Sequence, residues 1–126
     1  MILVKTFLGP SKIHGVGLFA AEPIAAGARV ATFDPAWDHA FTEAQLEQMP
    51  PLLRDYIRTY AYIVSSRPGL FFISLDSERF INHSRNPNLV ENGEFHVAAH
   101  DIQTNEELTA DYADLEELPP EAYPYY

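Results

Sequence analysis

The stretch RFINHSRNPN, residues 79–88, decides the fold that this sequence predicts. It combines two arginines, three asparagines, a histidine and a serine directly after a β-rich run at residues 70–75. Its proline opposes a continuous helix, and Asn and Ser side chains hydrogen-bond their own backbone in turns. Taken alone, the stretch predicts a polar loop capped by Asn and Ser.

Two further segments interrupt apolar sequence. Near the start, His14-Gly15-Val16-Gly17 precedes an apolar run; its glycines allow close approach to a ligand or a positive φ, and a structural turn is the simpler alternative. Near the end, residues 105–112 predict a turn, a short strand and then Tyr112, which alone would be a half-buried aromatic residue. None of the three segments identifies a function by itself.

The rest of the sequence predicts short strands around one helical insert. Thr42 with Gln45 three residues later is typical of a capping box, so a helix is expected over 42–49, and a second over 52–58. Strands are expected over 2–7, 16–20, 28–33, 89–91, 95–99 and 107–109, with a hairpin formed by 60–64 and 70–75. We therefore expect one mostly-β domain over residues 1–126, with its helical insert at 34–58.

Composition and charge exclude several classes of protein. The chain has 126 residues, enough for one domain with its own core, and it has no cysteine for disulfides or thiol catalysis. No apolar run approaches the roughly 20 residues of a membrane helix, and no secretory signal is visible, so a soluble cytoplasmic protein is expected. The five histidines show no ligand spacing, so no metal site is expected.

The formal net charge of −10 is unevenly distributed. Residues 1–33 carry a balance of +2, and residues 34–126 carry 17 acidic side chains against 5 basic ones. Such a field repels nucleic-acid phosphates and attracts basic peptides, and solubility is the plainer explanation. We expect a basic protein partner, no direct nucleic acid and no membrane.

Taken in order, the three segments resemble the motifs of the SET-domain protein-lysine methyltransferases. The first, continued through Leu18-Phe19-Ala20, is similar to the opening Gly-x-Gly-Leu-Phe-Ala motif of that family. Residues 80–88 are similar to its asparagine-histidine-serine motif, and residues 101–112 to its closing motif. The resemblance extends from residue 2 to about residue 115.

The resemblance implies a mostly-β SET-domain (β-clip) fold of several small sheets, in which the closing segment threads through an earlier loop as a pseudoknot. It also implies that S-adenosyl-L-methionine lies on one side of this pseudoknot. The backbone of residues 14–17, which are His14, Gly15, Val16 and Gly17, and the Asn82 side chain would hold its amino-acid end. The His83 backbone would meet the adenine, and Phe80 would either pack on the adenine or fill the core.

On the opposite side, the resemblance implies a narrow channel for the substrate lysine, with Tyr112 as the catalytic residue that aligns the amine. Tyr60 and Tyr62 are predicted on one face of one strand. By the resemblance, one of them would line the lysine pocket or the cofactor pocket, and simple strand packing is the alternative. Ala110 stands where relatives often carry an aromatic residue that limits methylation, so a roomier pocket is expected. Residues 117–126 are expected to form a lid over the channel or to fray.

The function implied is S-adenosylmethionine-dependent methylation of a lysine in a basic protein, such as a histone or histone-like protein. The alternative is a catalytically weak SET-fold module that binds basic peptides, and methylation of a small amine is a third option. The oligomeric state stays open, with a homodimer as one option.

Overall fold

The computed structural model describes residues 1–63 and 67–111. Within these residues the helices are α1 (Glu43–Glu47), α2 (Pro51–Tyr60) and a 3-10 helix (Ser77–Phe80). The strands are β1 (Thr6–Pro10), β2 (Val16–Ala20), β3 (Arg29–Thr32), β4 (Asp38–Thr42), β5 (Leu70–Ser74), β6 (Asn82–His83), β7 (Leu89–Asn92), β8 (Phe95–Ala98) and β9 (Thr109–Ala110). The predicted mostly-β class is confirmed.

The strands form three small sheets, and the largest contains the pseudoknot. β1 pairs with β2 and β4 pairs with β5, while the five-stranded sheet has the order β3-β8-β7-β9-β6. The last strand, β9, lies between β7 and β6 and is parallel to both. Because β6 and β7 are joined directly by residues 84–88, the closing segment is inserted into a loop made earlier in the chain. The predicted fold of small sheets is therefore confirmed.

Asn88 holds the inserted segment through hydrogen bonds to its backbone. Its side-chain oxygen accepts from the Thr109 N–H at 2.9 Å, and its amide nitrogen donates to the Glu107 carbonyl at 2.8 Å. The Asn88 N–H donates in turn to the Thr109 hydroxyl at 3.3 Å. Asn88 is buried, so both Glu107 and Thr109 depend on this side chain for partners that water cannot replace.

The main core lies where β2, the β3–β8–β7–β9 sheet and the closing segment meet. Its buried members are small or aliphatic, and the inserted segment supplies Leu108 and Ala110. Together they are Leu18, Ala20, Ile24, Val30, Ile81, Leu89, Ala98, Ile102, Leu108 and Ala110. A second cluster, Phe33 with Phe72, packs against Tyr62 and Leu70 beside the β4–β5 pair.

Both helices begin as the sequence predicts. Thr42 accepts a hydrogen bond from the Gln45 N–H at 3.2 Å and donates its own N–H to the Gln45 side chain at 2.8 Å, which completes the capping box. Pro51 occupies the first turn of α2, where its missing N–H costs no hydrogen bond. In the described residues, neither helix has the length and apolar character needed to cross a bilayer.

Two strand predictions were wrong, and one strand was not predicted. The first strand is Thr6–Pro10 and not 2–7, because β1 extends through Gly9 and Pro10 to pair with β2, while Ile2 forms only an isolated bridge to Ala31. β4 lies inside the insert predicted to be helical, and it takes β5 as its partner. The closing strand is Thr109–Ala110 and not 107–109, since Glu107 forms a separate bridge with Phe19.

The predicted hairpin of residues 60–64 with 70–75 was also wrong. Tyr60 ends α2, and of residues 61–63 only Tyr62 pairs with β5, through an isolated antiparallel bridge to Phe72 on the edge of β5 that β4 does not occupy. Tyr60 and Tyr62 therefore do not share one strand. The 79–88 stretch is likewise not a simple loop, since Arg79 and Phe80 belong to the 3-10 helix and β6 follows.

The first residues of the chain are anchored beside the 3-10 helix. The Met1 ammonium contacts the Glu78 carboxylate and donates to the Thr32 carbonyl at 2.8 Å, and the Ile2 N–H donates to Asp76 at 2.8 Å. Glu78 is buried, and burial raises its pKa to about 7 even though the ammonium opposes that rise. Asp38 and Asp76 add negative charge nearby and raise it further.

Replacing Asn88 with Ala is expected to lower the free energy of unfolding by about 2–3 kcal/mol, because the Thr109 N–H and the Glu107 carbonyl lose buried partners. The exposed Asn86→Ala is a matched control and should change it by less than about 0.5 kcal/mol. Urea denaturation at neutral pH measures both. Equal effects of the two substitutions would show that Asn88 does not hold the closing segment.

Glu78 should make the folded state less stable as pH rises from 5 to 7. The folded protein retains a proton on Glu78 that the unfolded chain, with an ordinary carboxyl pKa, releases. Compared with Glu78→Gln, the wild-type free energy of unfolding should therefore fall by about 2 kcal/mol over this interval. Histidine titrations occur in both proteins and cancel in the comparison. A constant difference between the two proteins at pH 5, 6 and 7 would contradict the assigned pKa.

Candidate functional site

The segment between β1 and β2 forms a compact loop that exposes backbone oxygens. The Ser11 N–H donates to the Gly15 carbonyl at 2.8 Å, while the Ser11 hydroxyl accepts from the N–H groups of Ile13 at 2.9 Å and His14 at 3.2 Å. Gly15 has a φ of 46°, which a residue with a side chain adopts only at a cost. These bonds define the loop 11–17, which includes all four residues predicted from the opening motif.

Asn82 links this loop to the pseudoknot. Its side-chain nitrogen lies 3.1 Å from the His14 carbonyl and 3.2 Å from the Val16 carbonyl. The same nitrogen lies 3.2 Å from the Ser11 hydroxyl and 3.0 Å from a Glu107 carboxylate oxygen. Four acceptors therefore surround a group with two hydrogens, and this arrangement favours a further donor such as an ammonium.

Gly17 is buried at the point where the end of the chain approaches the loop. A Cβ built on Gly17 would lie 2.3 Å from Glu107 Oε1 and 3.1 Å from Ser11 Cβ. A carbon atom at 2.3 Å cannot be accommodated, so the carboxylate would have to move. In the described residues, the atoms closest to a Cβ at position 17 thus belong to Glu107, and they favour a glycine there.

His83 lies next to Asn82 in β6 and faces Asp111. Its Nδ1 is 3.5 Å from an Asp111 carboxylate oxygen. Burial lowers the pKa of His83 and is the largest effect on it, with Asp111 opposing and Arg85 reinforcing the shift. The Ser84 N–H donates to the Ala110 carbonyl at 3.0 Å, so the turn after His83 is tied to β9.

A partly open cavity lies beside the same two strands. The pairing of Asn82 with Thr109 and of His83 with Ala110 places Asn82 and Ala110 on opposite faces of the β6–β9 pair. The cavity is on the Ala110 face, and its wall mixes aromatic and aliphatic side chains with several titratable groups. The lining residues are Tyr60, Ala61, Tyr62, Ile63, Glu78, Arg79, Ile81, Leu89, Glu91, His96, Ala110 and Asp111.

Tyr62 is held in this wall by a buried carboxylate. Its hydroxyl donates to Asp38 at 2.6 Å, and Asp38 also accepts from the Asp34 N–H at 3.1 Å. Burial is the main reason that the pKa of Tyr62 lies well above its usual range, and the negative charges of Glu78 and Asp38 add to the effect. Tyr62 is therefore a neutral, oriented donor at all physiological pH values.

The charged residues give the cavity an acidic character. Glu78, Glu91 and Asp111 line it, and the guanidinium of Arg79 is already bonded to the Tyr56 hydroxyl and to the carbonyls of Ser74 and Leu75. Burial lowers the pKa of His96, so that this ring is neutral at pH 7. A cavity with such a wall attracts a cationic side chain.

The residues predicted from the sequence divide into two sets. His14 to Gly17 and Asn82 meet on one face of the β6–β9 pair, and Tyr60, Tyr62 and Ala110 meet in the cavity on the other. Phe80 packs edge to face on Tyr60 with 5.6 Å between ring centroids, and its predicted contact with adenine stays a prediction. Tyr112 and the predicted lid at 117–126 lie outside the described residues.

Ser11 and Glu107 are parts of the site that the sequence did not indicate. Their side chains are 2.7 Å apart but separated by 96 positions in the chain. Glu107 belongs to the closing motif. Its role becomes visible only from its proximity to Gly17, and a single sequence does not reveal that proximity. No group of three or more His, Asp or Glu in the parts of the chain that the structure describes is arranged to hold a metal ion.

Comparison with known proteins gives one family and a set of similar folds. The SET-domain family model matches residues 15–113. A candidate histone methyltransferase of Plasmodium falciparum is 21% identical with a TM-score of 0.59, covering 88% of this chain and 95% of that one. A humanized mutant of the Chaetomium thermophilum Polycomb Repressive Complex 2, bound to an inhibitor, is 25% identical with a TM-score of 0.64.

An autoinhibited form of the Polycomb Repressive Complex 2 (ctPRC2), bound to S-adenosylmethionine, is 22% identical with a TM-score of 0.63. Both Polycomb matches cover 88% of this chain, which corresponds to 15% of the longer Polycomb chain. No match was found among curated protein sequences. The fold and the family match together show that this chain belongs to the SET-domain family.

Proposed function

We propose that this protein is an S-adenosylmethionine-dependent protein-lysine N-methyltransferase that acts on a basic protein segment. The observation that carries the proposal is the division of the site by the β6–β9 strand pair. The acceptor-rich loop and Asn82 lie on one face, and the acid-lined cavity lies on the other. Direct transfer requires the methyl carbon and the amine nitrogen to be in contact, so the two compartments are proposed to meet beside this strand pair, where the N–C bond forms as the C–S bond breaks.

The loop side fits the amino-acid end of S-adenosylmethionine. The carbonyls of His14 and Val16 and the Glu107 carboxylate converge near Asn82, and they outnumber the hydrogens that Asn82 supplies. An α-ammonium provides the missing donors to the His14 and Val16 carbonyls. When bound, the cofactor supplies an electrophilic methyl group on a positively charged sulfur.

The cavity side fits a lysine side chain. Glu91 and Asp111 attract the ammonium, and Tyr60, Ile81 and Leu89 offer apolar surface for its methylenes. Methyl transfer needs the neutral amine, and deprotonating a free lysine at pH 7 costs about 4.6 kcal/mol. Burial of the amine in the apolar part of the cavity, close to a positive sulfur, lowers this cost.

Tyr112 is proposed to align the amine. It follows Asp111, whose carboxylate lines the cavity and lies 3.5 Å from His83. A phenol hydroxyl orients a nitrogen without adding a full charge, and correct orientation is worth roughly 7–11 kcal/mol of a bimolecular barrier. The basic substrate segment is supported by the charge of the chain, which has 18 acidic and 8 basic residues.

Tyr112→Phe should abolish methyl transfer while cofactor affinity stays within about threefold of wild type, because the hydroxyl is proposed to touch the amine and not to hold the cofactor. The assay is transfer of labelled methyl from S-adenosylmethionine to a histone mixture and to cell extract. Trp37→Phe is the control, since Trp37 is exposed and belongs neither to the loop 11–17 nor to the cavity lining, and it should retain transfer.

A folded wild-type protein that neither binds S-adenosylmethionine nor transfers methyl would contradict the proposal and favour a module that only binds basic peptides. If labelled methyl were transferred to small amines and no protein became labelled, the proposal that the substrate is a protein would be excluded.

Ala110→Phe should lower the number of methyl groups that one lysine receives. Ala110 is buried in the cavity wall, and a phenyl ring there fills the space that a dimethylated amine needs to turn. Mass spectrometry of a lysine peptide after exhaustive reaction should show di- or trimethyl product with wild type and mainly monomethyl product with the variant. An unchanged product distribution in an active variant would show that Ala110 does not set the room available to the amine.

A further inference from the structure

Glu107 extends from the closing segment to the loop 11–17, where its carboxylate accepts hydrogen bonds from two side chains, Ser11 of the loop and Asn82 of β6. Its Oε1 accepts from the Ser11 hydroxyl at 2.7 Å and from the Asn82 side-chain nitrogen at 3.0 Å. The Ser11 hydroxyl also accepts from the N–H groups that shape the loop. One carboxylate oxygen therefore connects the loop turn to the asparagine of β6.

The backbone on both sides of this carboxylate is fixed. Glu107 forms a bridge with Phe19, the Leu108 N–H donates to the Leu18 carbonyl at 2.7 Å, and Asn88 donates to the Glu107 carbonyl at 2.8 Å. These bonds hold the Glu107 main chain against β2 and the 84–88 turn. The fixed main chain therefore positions the Glu107 side chain to contact Ser11.

The acceptors around Asn82 determine which way its amide points. A side-chain amide has a nitrogen that donates and an oxygen that accepts, and the four acceptors all lie around the nitrogen. The amide oxygen therefore faces away from Glu107 and is available as an acceptor. Glu107 is the charged member of the four acceptors, so it contributes most to this orientation.

Gly17 shows that the chain leaves room for this carboxylate. The space that a Gly17 side chain would occupy is taken by Glu107 Oε1, at 2.3 Å from the position of the missing Cβ. Gly9, its partner across the β1–β2 pair, would meet Phe19 at 3.4 Å and Phe7 at 3.9 Å, which are ordinary contacts. The requirement for glycine is thus specific to the side that faces Glu107.

We propose that Glu107 is a positioning residue for the cofactor side of the site. Through its Oε1 it orients the Asn82 amide and the Ser11 turn, so that the Asn82 oxygen and the His14 and Val16 carbonyls are presented together to the ammonium of the amino-acid end. The inference rests on the proposed function and adds to it a residue that acts through others. The positioning role requires an acceptor oxygen where Glu107 Oε1 lies, and a glutamine side chain also has such an oxygen.

Four variants and one double variant test it: Glu107→Ala, Glu107→Gln, Gly17→Ala, Gly9→Ala, and Gly17→Ala combined with Glu107→Ala. Titration calorimetry with S-adenosylmethionine gives the Kd of each, and steady-state assays separate KM from kcat. Thermal unfolding without ligand checks the fold. Glu107→Ala should raise Kd and KM about tenfold and leave kcat within about twofold.

The conservative and glycine variants make the test specific. Glu107→Gln should return Kd to within about threefold of wild type, because its oxygen can accept the same bonds. Gly17→Ala should weaken binding like Glu107→Ala but add little in the double variant, where the clashing carboxylate is gone. Gly9→Ala should leave Kd unchanged.

Different failures are distinguishable. Cofactor affinity that survives Glu107→Ala, a Gln variant as weak as the Ala variant, or additive effects of the Gly17 and Glu107 substitutions would each overturn the positioning role while the proposed function stands. Absence of cofactor binding in wild type would overturn the proposed function and this inference with it.

Discussion

A strand of two residues, Thr109–Ala110, has to pair with β6 on one side and β7 on the other, and the site depends on this insertion. So short a strand cannot be stable by its own hydrogen bonds. Asn88 supplies bonds from the side of the 84–88 turn, and the buried Leu108 and Ala110 supply apolar contact. The insertion is what brings the end of the chain next to its first loop.

This arrangement separates two environments over the width of one strand pair. The Asn82 face collects carbonyl and carboxylate oxygens, and the Ala110 face opens to a cavity with acidic and aromatic walls. Both faces carry acceptors and negative charge, so each suits a cationic group. The proposed pairing of a positive methyl donor with a lysine is supported by the electrostatics of both compartments and not by one residue alone.

Much of this could be predicted from local sequence. The Thr42–Gln45 capping box and the strand over 16–20 depend on short motifs, and both are present in the structure. The meeting of residues 14–17 with Asn82 was implied only by the resemblance to the SET-domain family. The predictions that were wrong depend on tertiary pairing. Tyr60 alternates with Tyr62 as in a strand, but α2 continues through Tyr60, and only Tyr62 bridges to Phe72 in β5.

The long-range contacts were not predictable for the same reason. β4 had no hydrophobic alternation to indicate it, and Glu107 belongs to a run of acidic residues in which nothing distinguishes it until Gly17 and Ser11 are seen beside it. Glu78 is also unremarkable in sequence, yet its burial raises its pKa against the opposing effect of the Met1 ammonium.

A crystal structure of the protein with S-adenosylhomocysteine and a lysine peptide would test the central claim most directly. The account predicts the amino-acid end of the cofactor product within hydrogen-bond distance of Asn82 and the His14 carbonyl. It predicts the lysine nitrogen in the cavity beside Ala110, on the other face of the β6–β9 pair. A peptide and cofactor product bound on the same face, or a lysine outside that cavity, would contradict it.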